Sequence, residues 1–116
     1  DIPGFVTQHT TIKGERAIKI SLDCFNCCES NFSNFISNFH KIFDNKFILV
    51  VDFRGCPMYP LSYIHRIISL LKSHEDNIRD NVEYTIIIVE STLARIFVNT
   101  FLSLYTPIKP ILIQRE

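Results

Sequence analysis

Two periods run through this chain, and the places where one gives way to the other divide it into elements. Ile18, Ile20 and Leu22 alternate with Lys19, Ser21 and Asp23. That period of two sends apolar side chains to one face of a strand and polar ones to the other. Gly14, between Ile12–Lys13 and Glu15–Arg16, accepts positive φ at little cost and so predicts a hairpin turn. Residues 1–11, with Pro3 and Gly4 and no clear period, read as an N-terminal arm leading into a first strand.

Beyond Asp23 the period lengthens. Phe32, Phe35, Ile36, Phe39, Ile42 and Phe43 recur at i, i+3, i+4 and i+7, the single apolar stripe of an amphipathic helix, with Asn, Ser, His and Lys opposite. Ser30 or Asn31 suits its N-cap, and Asp44–Asn45 stops it. Phe47 to Phe53 is then almost uninterruptedly apolar, as strands buried on both faces are, which predicts a central and parallel position. A turn through Arg54-Gly55-Cys56-Pro57-Met58-Tyr59-Pro60 follows. Leu61, Ile64, Ile67, Ile68 and Leu71 trace a second helix that ends in the polar stretch from Lys72 to Asn81. Tyr84 to Val89 reads as a second fully buried strand. Leu93, Ile96, Phe97, Phe101 and Leu104 mark a third helix capped by Ser91 or Thr92. Pro107 and Pro110 break it before a last short strand at Ile111–Ile113.

The predicted order is β-β-α-β-α-β-α-β: one α/β domain over residues 1–116, with a mixed, mostly parallel sheet of about five strands and three helices. At 116 residues, 47% hydrophobic and 21% charged, the chain has room for one core and composition enough to fill it. Twelve basic and twelve acidic side chains give a formal charge of zero, with Lys and Arg scattered singly. Nucleic acid binding, which needs clustered positive charge, is not expected. The longest apolar run, Phe47 to Val51, is far short of a membrane span, so direct membrane insertion is not expected either. Cys24, Cys27 and Cys28 crowd together and Cys56 stands alone. A domain of this size does without disulfide staples, so reduced thiols in a cytoplasmic, reducing compartment are expected.

Candidate chemistry is thin. One Cys24-x-x-Cys27 knuckle without a second leaves zinc short of four ligands, and His9, His40, His65 and His74 are widely spaced, so no metal is expected. Three glycines cannot build a phosphate-cradling loop, and no Gly-x-Ser-x-Gly is present, so no cofactor and no catalytic set are expected. Position 62, where a Cys-x5-Arg phosphate loop on Cys56 would need arginine, is serine, and the next arginine is Arg66. Asp23, Asp52 and Glu90 end strands, where carboxylates more often cap turns than form an acid–base pair. His65, beside the stripe of the second helix, reads as a packed or rim side chain. The turn after the central strand lies where open α/β sheets bind ligands, and Arg54, Tyr59, Ser62, Tyr63 and Arg66 are the partner-binding candidates there.

A hairpin, a helix, a buried strand ending in ILVVDFRGC, a turn and an amphipathic helix, then a further strand and helix, together resemble the STAS family. Its members include the anti-sigma-factor antagonists and the cytoplasmic tails of anion transporters. The likeness covers roughly residues 12–113, mostly as pattern. It implies a non-enzymatic regulatory module that binds a protein partner through the turn and the following helix. Phospho-switching members carry an Asp-Ser-Ser-Gly-like sequence at the helix start, where this chain reads Met58-Tyr59-Pro60-Leu61-Ser62. Ser62 is the nearest hydroxyl and the candidate phosphorylation site; a phosphate there would add about two negative charges at the helix N-terminus.

ILVVDFRGCP is also similar to the strand and active turn of thioredoxin-like proteins. Their Cys-x-x-Cys is here Cys56-Pro57-Met58-Tyr59, so Cys56 would be a single reactive thiol, and disulfide exchange needs two. A STAS-like sheet has its first strand antiparallel at an edge, whereas a thioredoxin has its last hairpin antiparallel. A structural subunit of a larger assembly, which would expose an apolar patch and form homo-oligomers, is the remaining expectation.

Overall fold

The computed structural model describes residues 5–22, 33, 36–54 and 62–115. Five strands form one sheet in the order β1-β2-β3-β4-β5: β1 (Phe5–Ile12), β2 (Glu15–Leu22), β3 (Phe47–Asp52), β4 (Val82–Val89) and β5 (Ile111–Arg115). β1 and β2 pair antiparallel, and each later strand joins its predecessor in parallel. Between them lie a 3-10 turn at Phe39–Ile42, which residues 36–38 enter as α-helix, and the helices α1 (Ser62–Ser73), α2 (Glu75–Asn81) and α3 (Thr92–Leu104). The sheet is thus mixed and mostly parallel, as the alternating periods predict.

The hairpin turn falls at Lys13 and Gly14, with φ of 52° and 81°. Two consecutive positive φ values make a two-residue hairpin loop whose twist matches its strands. The segment read as an arm is mostly strand: Phe5 to Thr11 belong to β1, which pairs along its whole length with β2. Its Thr-rich alternation is a weak signal that becomes a strand once β2 offers an edge.

Parallel neighbours in sequence order require crossovers that all turn the same way, and right-handed crossovers put every helix on one face of the sheet. The packing agrees. Ile18, Ile20, Phe47, Ile87 and Val89 from the strands form one core with Phe39, Ile64, Ile68, Phe97 and Val98 from the helical layer. The reverse face carries a second, smaller cluster made, among the described residues, by the strand residues Ala17, Ile48, Val50 and Ile88, with Ile12, Tyr84 and Ile86 against it. The apolar runs of β3 and β4 therefore reflect two apolar faces, but among the described residues helices cover only one of them. A register shift between Phe47 and Leu49, where β3 meets β4, sets both Glu83 and Tyr84 against Ile48. Two residues facing one help to close off Ile48, which is fully buried.

The described part of the first helix is shorter than the stripe predicts. Ile36–Asn38 are helical and run into the 3-10 turn, while Phe32 and Phe35 lie outside the described residues. Asp44 receives Arg16 Nη2 at 2.8 Å, and Arg16 also donates to the Asn45 carbonyl and lies over the Phe47 ring. One arginine thus ties the end of that turn to β2. The second helix is divided. The polar stretch read as its tail holds α2, which starts after His74 with Glu75 and Asp76 in its first turn, where the helix dipole favours acidic groups. Ile78 packs against the main core. α3 is capped as expected: the Ser91 hydroxyl accepts from the Ala94 N–H at 3.0 Å.

Candidate functional site

Parallel strands end together, and β3 delivers Asp52 to the carboxyl edge between Ser21 of β2 and Ile88 of β4. Asp52 shares the parity of Ile48 and Val50, so it belongs to the face opposite the helices. It is 7% exposed and is the one buried charged group among the described residues. Its partners account for that burial. The Arg54 N–H donates to Oδ1 at 2.9 Å, Arg54 Nε lies 3.0 and 3.2 Å from the two oxygens, and Arg54 Nη2 reaches Oδ2 at 2.8 Å. Lys19 Nζ stands 3.4 Å from Oδ2. Burial by itself would raise the carboxyl. The guanidinium and N–H of Arg54, with Lys19 behind them, outweigh it and hold the group at about 2.

Such a carboxylate is ionised throughout the neutral range, and its lone pairs are taken up by donors. It has no spare basicity for proton transfer. What it does is mechanical: it clamps the first residue of the turn by main chain and side chain together, presenting a half-exposed guanidinium at the sheet's edge.

Of the other residues singled out at this edge, Arg66 lies on α1, half-buried, with Nη2 3.4 Å from the Ser33 hydroxyl. Tyr59 and Cys56 lie outside the described residues, as do the side chains of Ser62 and Tyr63, whose backbone opens α1. Cys24, Cys27, Cys28 and Asp23 also lie outside them. Glu90 follows β4 and is exposed, so it does not share the Asp52 cluster. His65 is exposed rather than packed. The packed histidine is His74, with its ring edge-on to Phe39 at 5.3 Å, stacked with Phe43 at 5.9 Å, and Nδ1 2.9 Å from the Leu70 carbonyl. Among the described residues no three His, Cys, Asp or Glu side chains gather as a metal site, and no helix is long and apolar enough to cross a membrane.

Two features carry no mark in the sequence pattern. At the opposite end of the sheet the hydrogen bond that the protonated Glu15 carboxyl donates to Glu83, then the repulsion of the Glu83 charge, raises the Glu15 carboxyl above the usual range. Glu15 and Glu83 sit on strands separated by β3, so only the three-strand register brings them together. The second is a set of apolar side chains left in solvent. Leu93 (52% exposed), Ile96 (55%) and Leu104 (54%) on α3, and Leu112 (56%) and Ile113 (41%) on β5, are the exposed large hydrophobic residues. The spacing of Leu93, Ile96, Phe97, Phe101 and Leu104 predicts one stripe of α3. The helix instead turns Ala94, Phe97 and Val98 inward, and Leu93, Ile96 and Leu104 form a second row beside them.

Comparison with protein-family models, with curated proteins and with solved structures found no match.

Proposed function

We propose that this chain is a non-enzymatic protein-interaction module that takes a partner along the edge formed by β5 and α3. One observation carries the proposal: every large hydrophobic residue exposed among the described residues lies on the last helix or on the edge strand it leads into. Scattered exposed apolar residues need no explanation, but a set confined to one border marks an interaction surface. Among the described residues β5 pairs with β4 and stands at the edge of the sheet, and Leu112 and Ile113 point to opposite faces. An extended partner segment with alternating apolar residues would add a sixth strand there, gaining main-chain hydrogen bonds and apolar contact together.

The STAS-like reading proposes a second contact at the turn and α1, with Arg54, Tyr59, Ser62, Tyr63 and Arg66. Antiparallel β1 at one edge and parallel β5 at the other favour that resemblance over the thioredoxin one, and Asp52 fixes Arg54 where such a partner would meet it. A regulatory role through phosphorylation at Ser62, and residence in the cytoplasm, belong to the same reading.

A random-peptide display selection against the whole chain tests the docking edge. Enriched peptides are expected to alternate apolar and polar residues, and Ile96→Asp and Leu112→Asp are expected to weaken their binding at least tenfold. No enrichment, or binding indifferent to both substitutions, overturns the proposal. A concentration-dependent mass in light scattering would instead identify a second copy as the occupant, the homo-oligomer of the structural-subunit reading. Fast alkylation of Cys56 at neutral pH would favour the single-thiol redox reading.

A further inference from the structure

A cavity of about 160 Å³ lies between the helical layer and the sheet. Leu49, Val51 and Ile87 form its floor, and Leu71, Phe97 and Phe101 its roof. Pro107, Ile108 and Lys109, in the half-buried link from α3 to β5, also line it. Native interiors leave few voids larger than a water molecule, and the atoms lining a void forfeit dispersion contacts. Water is a poor filler here, since each molecule needs two to four polar partners. Beyond main-chain atoms the wall offers the Thr85 hydroxyl, the Tyr105 phenol and Lys109. Burial, and then the nearby Glu75 carboxylate, raises the Tyr105 phenol, so this part of the wall is uncharged at neutral pH. Lys109 is the one charged residue among the described residues lining it.

Size and chemistry together define the occupant. A cavity of about 150 Å³ lined by Leu, Ile and Phe stays dry in water and takes up benzene. We infer that this cavity is a binding site for one neutral apolar group of that size, a single aromatic ring or a compact alkyl unit. The site shares α3 and β5 with the docking edge but none of its exposed residues, and does not depend on a partner there.

Benzene is the probe. Titrated into the whole chain, it is expected to raise Tm by about 4 °C or more once it exceeds its dissociation constant tenfold. It is also expected to shift the methyl resonances of Leu49, Val51, Leu71 and Ile87 while leaving those of exposed Leu93 and Leu112 in place. Val51→Phe and Leu71→Phe each fill part of the space from a different wall, and either is expected to weaken benzene binding at least tenfold. Unchanged Tm and methyl resonances in the wild type at the solubility limit of benzene overturn the inference, as does undiminished binding in a folded filling variant. Should neither variant fold, the wild-type titration decides alone.

Discussion

The carboxylate of Asp52 grips Arg54 twice, through the main-chain N–H at 2.9 Å and through Nη2 at 2.8 Å. One side chain therefore sets both the direction in which the chain leaves the central strand and the place of the guanidinium. Charge-assisted bonds of this fork-like kind are about twice as strong as neutral ones, and here they form around a group sheltered from water.

The pH dependence of stability follows. Asp52 is held at about 2 against an ordinary 3.8, so as pH falls the unfolded chain takes up the proton before the folded one. The stabilising contribution is present in full above about pH 4 and is lost as pH falls from there through 2, a change on the order of 2 kcal/mol. Asp52→Asn keeps the shape and removes the charge. Urea unfolding at pH 7 should show it less stable by about 1–3 kcal/mol, and its stability should vary less between pH 4 and 2 than that of the wild type. Equal slopes in that window would refute the assignment.

The two rows of α3 should respond oppositely to substitution. Phe97, 3% exposed, meets Phe53 with ring centroids 6.0 Å apart, and Phe97→Ala should cost about 3–5 kcal/mol. Leu93→Ala and Ile96→Ala, one row round the same helix, should stay within about 0.5 kcal/mol. Thermal melts of the three variants separate the rows, and a large loss at Ile96 would mean that it is covered in solution.

Lys13 holds a positive φ in the hairpin turn, which costs a residue bearing a Cβ roughly 1–2 kcal/mol and costs asparagine less. Lys13→Asn should therefore stabilise the chain by about 0.5 kcal/mol. Gly14→Ala should destabilise it even though an added Cβ would meet nothing within 4 Å, because the penalty lies in the backbone. Chemical denaturation with a shared slope checks both signs.

The Glu15 carboxyl, in the open, is raised by the hydrogen bond that its protonated form donates to Glu83 and then by repulsion between the two charges. Its folded value lies above the unfolded one, so the chain loses stability as pH rises through the folded value. Glu15→Gln should remove that loss, leaving the variant at least as stable as the wild type at neutral pH and flatter with pH through the carboxylate range. A variant less stable than the wild type at pH 7 would show that the pair is not repulsive.

Much of this architecture is legible in the residues. The hairpin at Gly14, the parallel pairing of the Phe47 and Tyr84 segments, the Ser91 cap and the proline stops follow from local rules, because turn chemistry and apolar runs act within a few residues. The rest depends on long-range register. A continuous apolar run says that both faces of a strand avoid water, yet Ile48 and Val50 are covered by side chains of their own sheet, an arrangement no periodicity distinguishes from a second helical layer. In α3, Leu93-x-x-Ile96 and Phe97-x-x-x-Phe101 satisfy the same spacing, and only the sheet beneath decides which row turns inward. α2 escaped notice because a short helix with one apolar anchor, Ile78, has almost no periodic signal. The Asp52 clamp was half visible: a strand-ending carboxylate suggests a cap, but its arginine partner two residues on appears only when the turn is drawn.

Because every strand lies beside the one that precedes it in the chain, the sheet can be laid down as a row, each new strand meeting an edge that already exists. No strand has to be inserted between two others. Assembly of this kind keeps contacts relatively local for a parallel sheet, and local contacts favour rapid folding. The same rule leaves β5 as the growing end.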